Sequence, residues 1–154
     1  MLRSLLIGLV AGARSMTPLA AVSDAARRGA LPRDHGAPRW LGRPSVAAGT
    51  ALLAGAELIG DKLPFAPDRI VVPGLAARVV TGAVAGAALA PRDERVAAAL
   101  VGVAGAMVAS YVTFGARVPA MRRYGQVRSG LVEDALVVAA ALWIVNGAAG
   151  GAWR

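Results

Sequence analysis

Cysteine is absent from the 154 residues, which excludes a disulfide framework, a thiolate metal site and a cysteine nucleophile. The only histidine is His35, in a loop rich in Pro and Arg, so a histidine-based metal site or triad has no second member. Aromatic residues make up 5% of the chain. That is too few for the large apolar payloads of an ordinary soluble core, and no aromatics are interleaved with basic residues to stack nucleic-acid bases. Lysine is scarce as well: of 17 basic residues only Lys62 is one, so the net charge of +8 is carried by arginine. Charged residues total 17%, against about 25% in a typical soluble domain. No Gly-rich phosphate loop, nucleophile elbow or zinc spacing occurs. The expectation is a chain that is not an enzyme, holds no cofactor or metal, and does not bind nucleic acid.

What the chain does have is apolar length. Hydrophobic residues are 56% of it and the mean hydropathy is +0.57. Most are Ala, Val, Leu and Gly, a mixture suited to close helix packing in lipid. Five apolar segments stand out, at about 4–22, 46–63, 75–90, 96–116 and 131–148, each near the roughly 20 residues that cross a hydrocarbon core. The fold class expected is all-α: one polytopic transmembrane bundle of about five short helices filling 1–154, with the lipid bilayer as its first partner. Arg3, Leu5–Val10 and Ala11-Gly12-Ala13 have the look of a signal sequence, but the apolar pattern resumes after Pro18, and a helix is the better reading. Pro18 removes a backbone donor, so this first helix is expected to be broken. Val10-Ala11-Gly12-Ala13 recurs as Val103-Ala104-Gly105-Ala106. Five spans would run these two stretches in opposite directions, as in a weak inverted repeat. With five spans the basic residues divide almost evenly between the two sides, so no orientation follows.

Ionisable groups inside such segments cost several kcal/mol, roughly 2.5–3.5 on insertion scales, and mark functional sites by default. Glu57 and Asp61 lie four residues apart, on one helix face, with Lys62 beside them. Arg14 interrupts the first segment and is followed by Ser15-Met16-Thr17-Pro18, whose hydroxyls could serve a broken helix or a ligand. Arg78 opens the third segment, and Glu133 and Asp134 open the fifth. Five spans bring these groups to one side, giving an intramembrane polar site of Arg14, Ser15, Thr17, Glu57, Asp61, Lys62, Arg78, Glu133 and Asp134. Arg14 is expected to pair with Glu57 or Asp61; the same charges could equally serve as packing devices. Four-residue spacings of small residues, Gly8/Gly12, Gly82/Gly86 and Ala98/Gly102/Ala106/Ser110, predict tight helix contacts, some of them in a homo-oligomer.

Three stretches carry a family resemblance: Gly12-Ala13-Arg14-Ser15-Met16-Thr17-Pro18-Leu19-Ala20, Glu57 with Asp61-Lys62-Leu63-Pro64, and Gly130-Leu131-Val132-Glu133-Asp134-Ala135-Leu136. Together with Gly74-Leu75-Ala76-Ala77-Arg78-Val79-Val80, they resemble a bacterial family of small integral membrane proteins, the domain of unknown function 4126 family. The resemblance implies a multi-pass protein of the bacterial inner (cytoplasmic) membrane and assigns no activity. Glu57-Leu58-Ile59-Gly60-Asp61-Lys62 is more loosely similar to the E-x-G-D-K motif of cation/proton exchangers, with one extra residue before the glycine. The expected function is transport or conduction of a small ion or polar solute. The alternative is a non-transporting assembly partner of other membrane proteins.

Overall fold

The computed structural model describes residues 1–60 and 72–149. Asp61 and Lys62, and with them the Pro-rich connection that follows, lie outside the described residues. Among the described residues there are six α-helices: α1 (Leu2–Ala13), α2 (Met16–Arg27), α3 (Pro44–Gly60), α4 (Val72–Ala88), α5 (Arg95–Tyr124) and α6 (Gln126–Ala149). One 3-10 turn, Arg39–Gly42, precedes α3. Among the described residues there is no strand, only an isolated bridge between His35 and Pro91.

The first apolar segment is two helices rather than one. In a continuous helix the Pro18 ring would strike the carbonyl of the residue four earlier, which is Arg14. The chain breaks there: Arg14 is extended, with φ −140 and ψ 118, and Pro18 falls in the first turn of α2, where its missing N–H costs nothing. Each half has 12 residues, about 18 Å of helix, too short to cross a hydrocarbon core.

Named contacts fix the directions. Ser4 near the start of α1 donates to the Gly86 carbonyl near the end of α4 (3.0 Å), and Arg3 donates to the Gly147 carbonyl near the end of α6 (3.0 Å). Gly36 N–H, beyond the end of α2, donates to the Ala90 carbonyl (2.7 Å), so α2 returns to the end from which α1 set out. Thus α1 and α2 form a hairpin whose tip is the break, and α3 to α6 alternate in direction beside it. This corrects the expectation of a single first span. It also corrects the inverted repeat: Gly8 lies against Gly102 and Gly12 against Ala106, so α1 and α5, which carry the two matching quartets, run parallel.

Glycine makes that packing possible. A Cβ on Gly105 would stand 2.8 Å from the Leu5 carbonyl oxygen, and one on Gly86 2.7 Å from that of Ala98. The small-residue stripes of α1, α4 and α5 therefore face one another within the chain. A core of Ile7, Val10, Val22, Leu41, Leu89, Val137 and Ile144 fills the space among α1, α2, α4 and α6. The turn at 91–95 is tight, with Glu94 N–H on the Pro91 carbonyl (3.1 Å). By contrast, α5 runs through Pro119 to Tyr124, well past the expected limit at 116. It stops at Gly125, whose φ of +83 lies in the left-handed region that glycine adopts freely. At the other end of the bundle, Asp24 near the end of α2 is paired with Arg27 and Arg28. The Arg27 hydrogen bond, aided by Arg28, holds its carboxyl below its ordinary value.

By length and composition α5 and α6 could each cross a membrane.

Candidate functional site: a helix break matched by charge

A break inside an apolar hairpin leaves backbone groups without helical partners. The last carbonyls of α1 carry partial negative charge and the first N–H groups of α2 partial positive charge. Each end is met by a side chain of opposite sign from another helix.

Glu57, near the end of α3, serves the start of α2. Its Oε1 accepts from the Ser15 N–H (2.8 Å) and the Ser15 hydroxyl (3.0 Å), and its Oε2 accepts from the Met16 N–H (2.8 Å). It is a capping carboxylate supplied by a different helix, with both oxygens engaged. Arg78 of α4 serves the end of α1: its Nε donates to the Gly12 carbonyl (3.0 Å). Ser110 of α5 adds a longer contact from its hydroxyl to the same oxygen (3.4 Å) and donates to the Ala106 carbonyl (2.7 Å). Arg78 is buried, so its charge is spent on groups inside the bundle.

Arg14 is fully buried at the break itself. Its Nε and Nη2 both donate to Asp134 Oδ1 of α6, at 2.9 and 2.5 Å. The expected pairing with Glu57 is not formed, because both Glu57 oxygens are committed to α2; the other expected partner, Asp61, is outside the described residues. Asp134 therefore takes the place given to Glu57. It also sits more than two turns inside α6, not at the helix start that the sequence suggests. Glu133 faces another way, 3.7 Å from Arg117 of α5.

The break thus gathers Arg14, Ser15, Glu57, Arg78 and Asp134 from five helices and their junctions. Thr17 is buried in the first turn of α2, and its hydroxyl has no hydrogen-bond partner among the described residues. Of the sequence-expected set, Glu133 belongs to a neighbouring ion pair, and Asp61 and Lys62 lie outside the described residues. Ser110 was identified only as a small packing residue; its second use at the Gly12 carbonyl has no sequence signal beyond the hydroxyl itself. Among the described residues, Arg14, Arg78, Glu57 and Asp134 stand at the break, with the ends of two helix dipoles between them.

A family model described as Domain of unknown function (DUF4126) matches residues 1–151. No curated protein and no solved structure matches the chain.

Proposed function

The chain belongs to the domain of unknown function 4126 family, which supplies no activity to carry over, and we propose that it is a multi-pass inner-membrane protein that moves a small ion or polar solute through the helix break. Four features support the membrane setting. Outward-facing Leu52, Leu100, Val112 and Leu136 are each more than 60% exposed, on a surface too apolar for a soluble monomer. α5 and α6 have spanning length, and α3 and α4, at 17 residues each, reach the lower limit for crossing. In lipid, α1 and α2 would be a re-entrant pair, a form of backbone tolerated only where protein or a polar cavity receives its tip. The N-terminal end gathers Arg3, Arg27, Arg28, Arg33, Arg39, Arg43, Arg92 and Arg95, and the other end Arg117, Arg122, Arg123 and Arg128. Eight against four among the described residues favours a cytoplasmic N-terminal end.

The observation that carries the transport reading is the carboxylate of Glu57 seated on the N-terminus of α2. Helix N-termini at broken helices receive anionic groups in transporters, and here the chain provides its own. A proton on Glu57 would cancel the charge that holds it there. The Ser15 and Met16 N–H groups and the Ser15 hydroxyl would then be free to bind an incoming anion or polar solute, with the unpartnered Thr17 hydroxyl one residue on. Proton uptake and solute entry are coupled by that exchange, and loss of the proton restores the cap and expels the solute. In liposomes carrying an internal pH dye, wild-type protein should move protons when one of a series of small organic anions or cations is supplied. Glu57→Gln, which is permanently uncharged and carries no exchangeable carboxyl proton, should mimic the released cap and lose the coupled proton signal. Absence of proton movement with every solute overturns the reading.

The second reading, a non-transporting assembly partner, draws on α3. Its outer face exposes Leu52, Leu53 and Ile59, and Cβ atoms added at Gly49 and Gly55 would meet no described residue within 4 Å. A helix of a second copy or of another membrane protein could pack closely there.

A further inference from the structure

We propose that the groove at the N-terminal end of the bundle is a binding site for one anionic phospholipid, with its phosphate on Arg3 and Arg33 and an acyl chain against Leu6 and Ile144. This inference rests on the membrane reading above, but not on transport. The groove opens between α1, α6, residues 32–34 and the end of α4, with a volume of about 970 Å³. That is at the upper end of small-molecule sites and far larger than a simple anion needs.

Its lining has two chemistries. Leu6, Leu89 and Ile144 form the deep wall, and Arg3 and Arg33 stand among the lining residues with Asp34 as the single acid. A free polar solute would leave the apolar wall uncovered, and a neutral hydrocarbon would leave the guanidinium groups unanswered. A molecule with both an apolar tail and an anionic head satisfies each. Neither Arg3 nor Arg33 has a carboxylate partner among the described residues. Arg3 uses one donor on the Gly147 carbonyl, and a guanidinium has five.

Position selects a lipid over a soluble amphiphile. Leu2 and Trp143 on the groove's flanks are 62% and 58% exposed, so the groove is bordered sideways by apolar surface of the kind that faces acyl chains. Tryptophan is favoured at headgroup level. The same end carries the excess of arginine, which faces the anionic leaflet in a positive-inside arrangement.

The test uses the full chain in nanodiscs or detergent, with phosphatidylglycerol and phosphatidylcholine compared by thermal melting and by native mass spectrometry. Phosphatidylglycerol should bind one per chain and raise the Tm, whereas phosphatidylcholine should not. Arg3→Gln with Arg33→Gln should weaken phosphatidylglycerol binding about thirtyfold, the worth of two basic residues near anionic headgroups. Ile144→Trp, which narrows the groove and leaves the charge alone, should also abolish the stoichiometric adduct. Arg39→Gln with Arg92→Gln, on the same end but outside this groove, should leave the adduct intact. Equal loss in that control, or an equal Tm rise with glycerol phosphate, overturns the proposal in favour of general surface charge or a free phosphate. Protein released from membranes by alkaline carbonate would sink the membrane reading itself. Protein retained in membranes but indifferent to phosphatidylglycerol would sink the groove alone.

Discussion

Arg14 and Asp134 show how a buried charge is kept at a single residue. Burial denies both groups water, so each depends on the other and on its remaining hydrogen bonds. Removing one partner should cost up to about 3–5 kcal/mol of stability, because it takes a close hydrogen-bonded counter-charge from the other buried group. Arg14→Ala and Asp134→Ala are each expected to lower the detergent melting temperature strongly. The double variant should recover part of the loss, giving a coupling in a double-mutant cycle. Arg14→Ala with Glu57→Ala should show no such recovery, since Glu57 answers the backbone of α2 rather than Arg14. Single variants that melt with wild type would show that the pair is exposed to water.

At the scale of elements, α1, α4 and α5 meet where glycine allows. Gly8, Gly82 and Gly102 stand so close to facing backbone that a methyl group on any of them would require the helices to part. Gly8→Ala or Gly102→Ala should therefore cost at least the roughly 1–3 kcal/mol of overpacking and reduce folded yield. Gly49→Ala and Gly55→Ala on α3 should be neutral or slightly stabilising, because no described residue stands within 4 Å of the added methyl and alanine is the better helix former. Comparing folded yield by size-exclusion profile separates the two groups; equal behaviour would contradict the packing.

These glycine contacts were legible in the sequence as four-residue spacings, and Arg14, Glu57, Arg78 and Asp134 were among the charged groups expected on one side of the bundle. The course of the first segment was not. Hydropathy registers how many apolar residues follow one another, and a hairpin of two half-helices has the same count as one span. Pro18 marked the break, but a kink and a reversal need the same proline. The partner of Arg14 was misread for a related reason. Side-chain charges can be counted along the chain, whereas the backbone donors of α2 that claim Glu57 exist only once the break has formed. The oligomer inferred from the small-residue stripes loses its main support, since those of α1, α4 and α5 are used internally; the open face that remains is on α3.

For the molecule as a whole, the hairpin decides everything else. If α1 and α2 form one crossing, the break is a kink and its matched charges are packing devices spread along a span. If they return to the starting end, the tip is a re-entrant point inside the bundle with Glu57 capping α2 there, as the proposed exchange requires. The absence of native cysteine makes the distinction direct. Single cysteines at Leu2, Arg28 and Arg128, in sealed oriented vesicles, can each be challenged with a membrane-impermeant thiol reagent. The hairpin requires Leu2→Cys and Arg28→Cys to label from the same side and Arg128→Cys from the opposite one. Leu2→Cys labelling together with Arg128→Cys, opposite Arg28→Cys, would restore the single crossing and contradict the site.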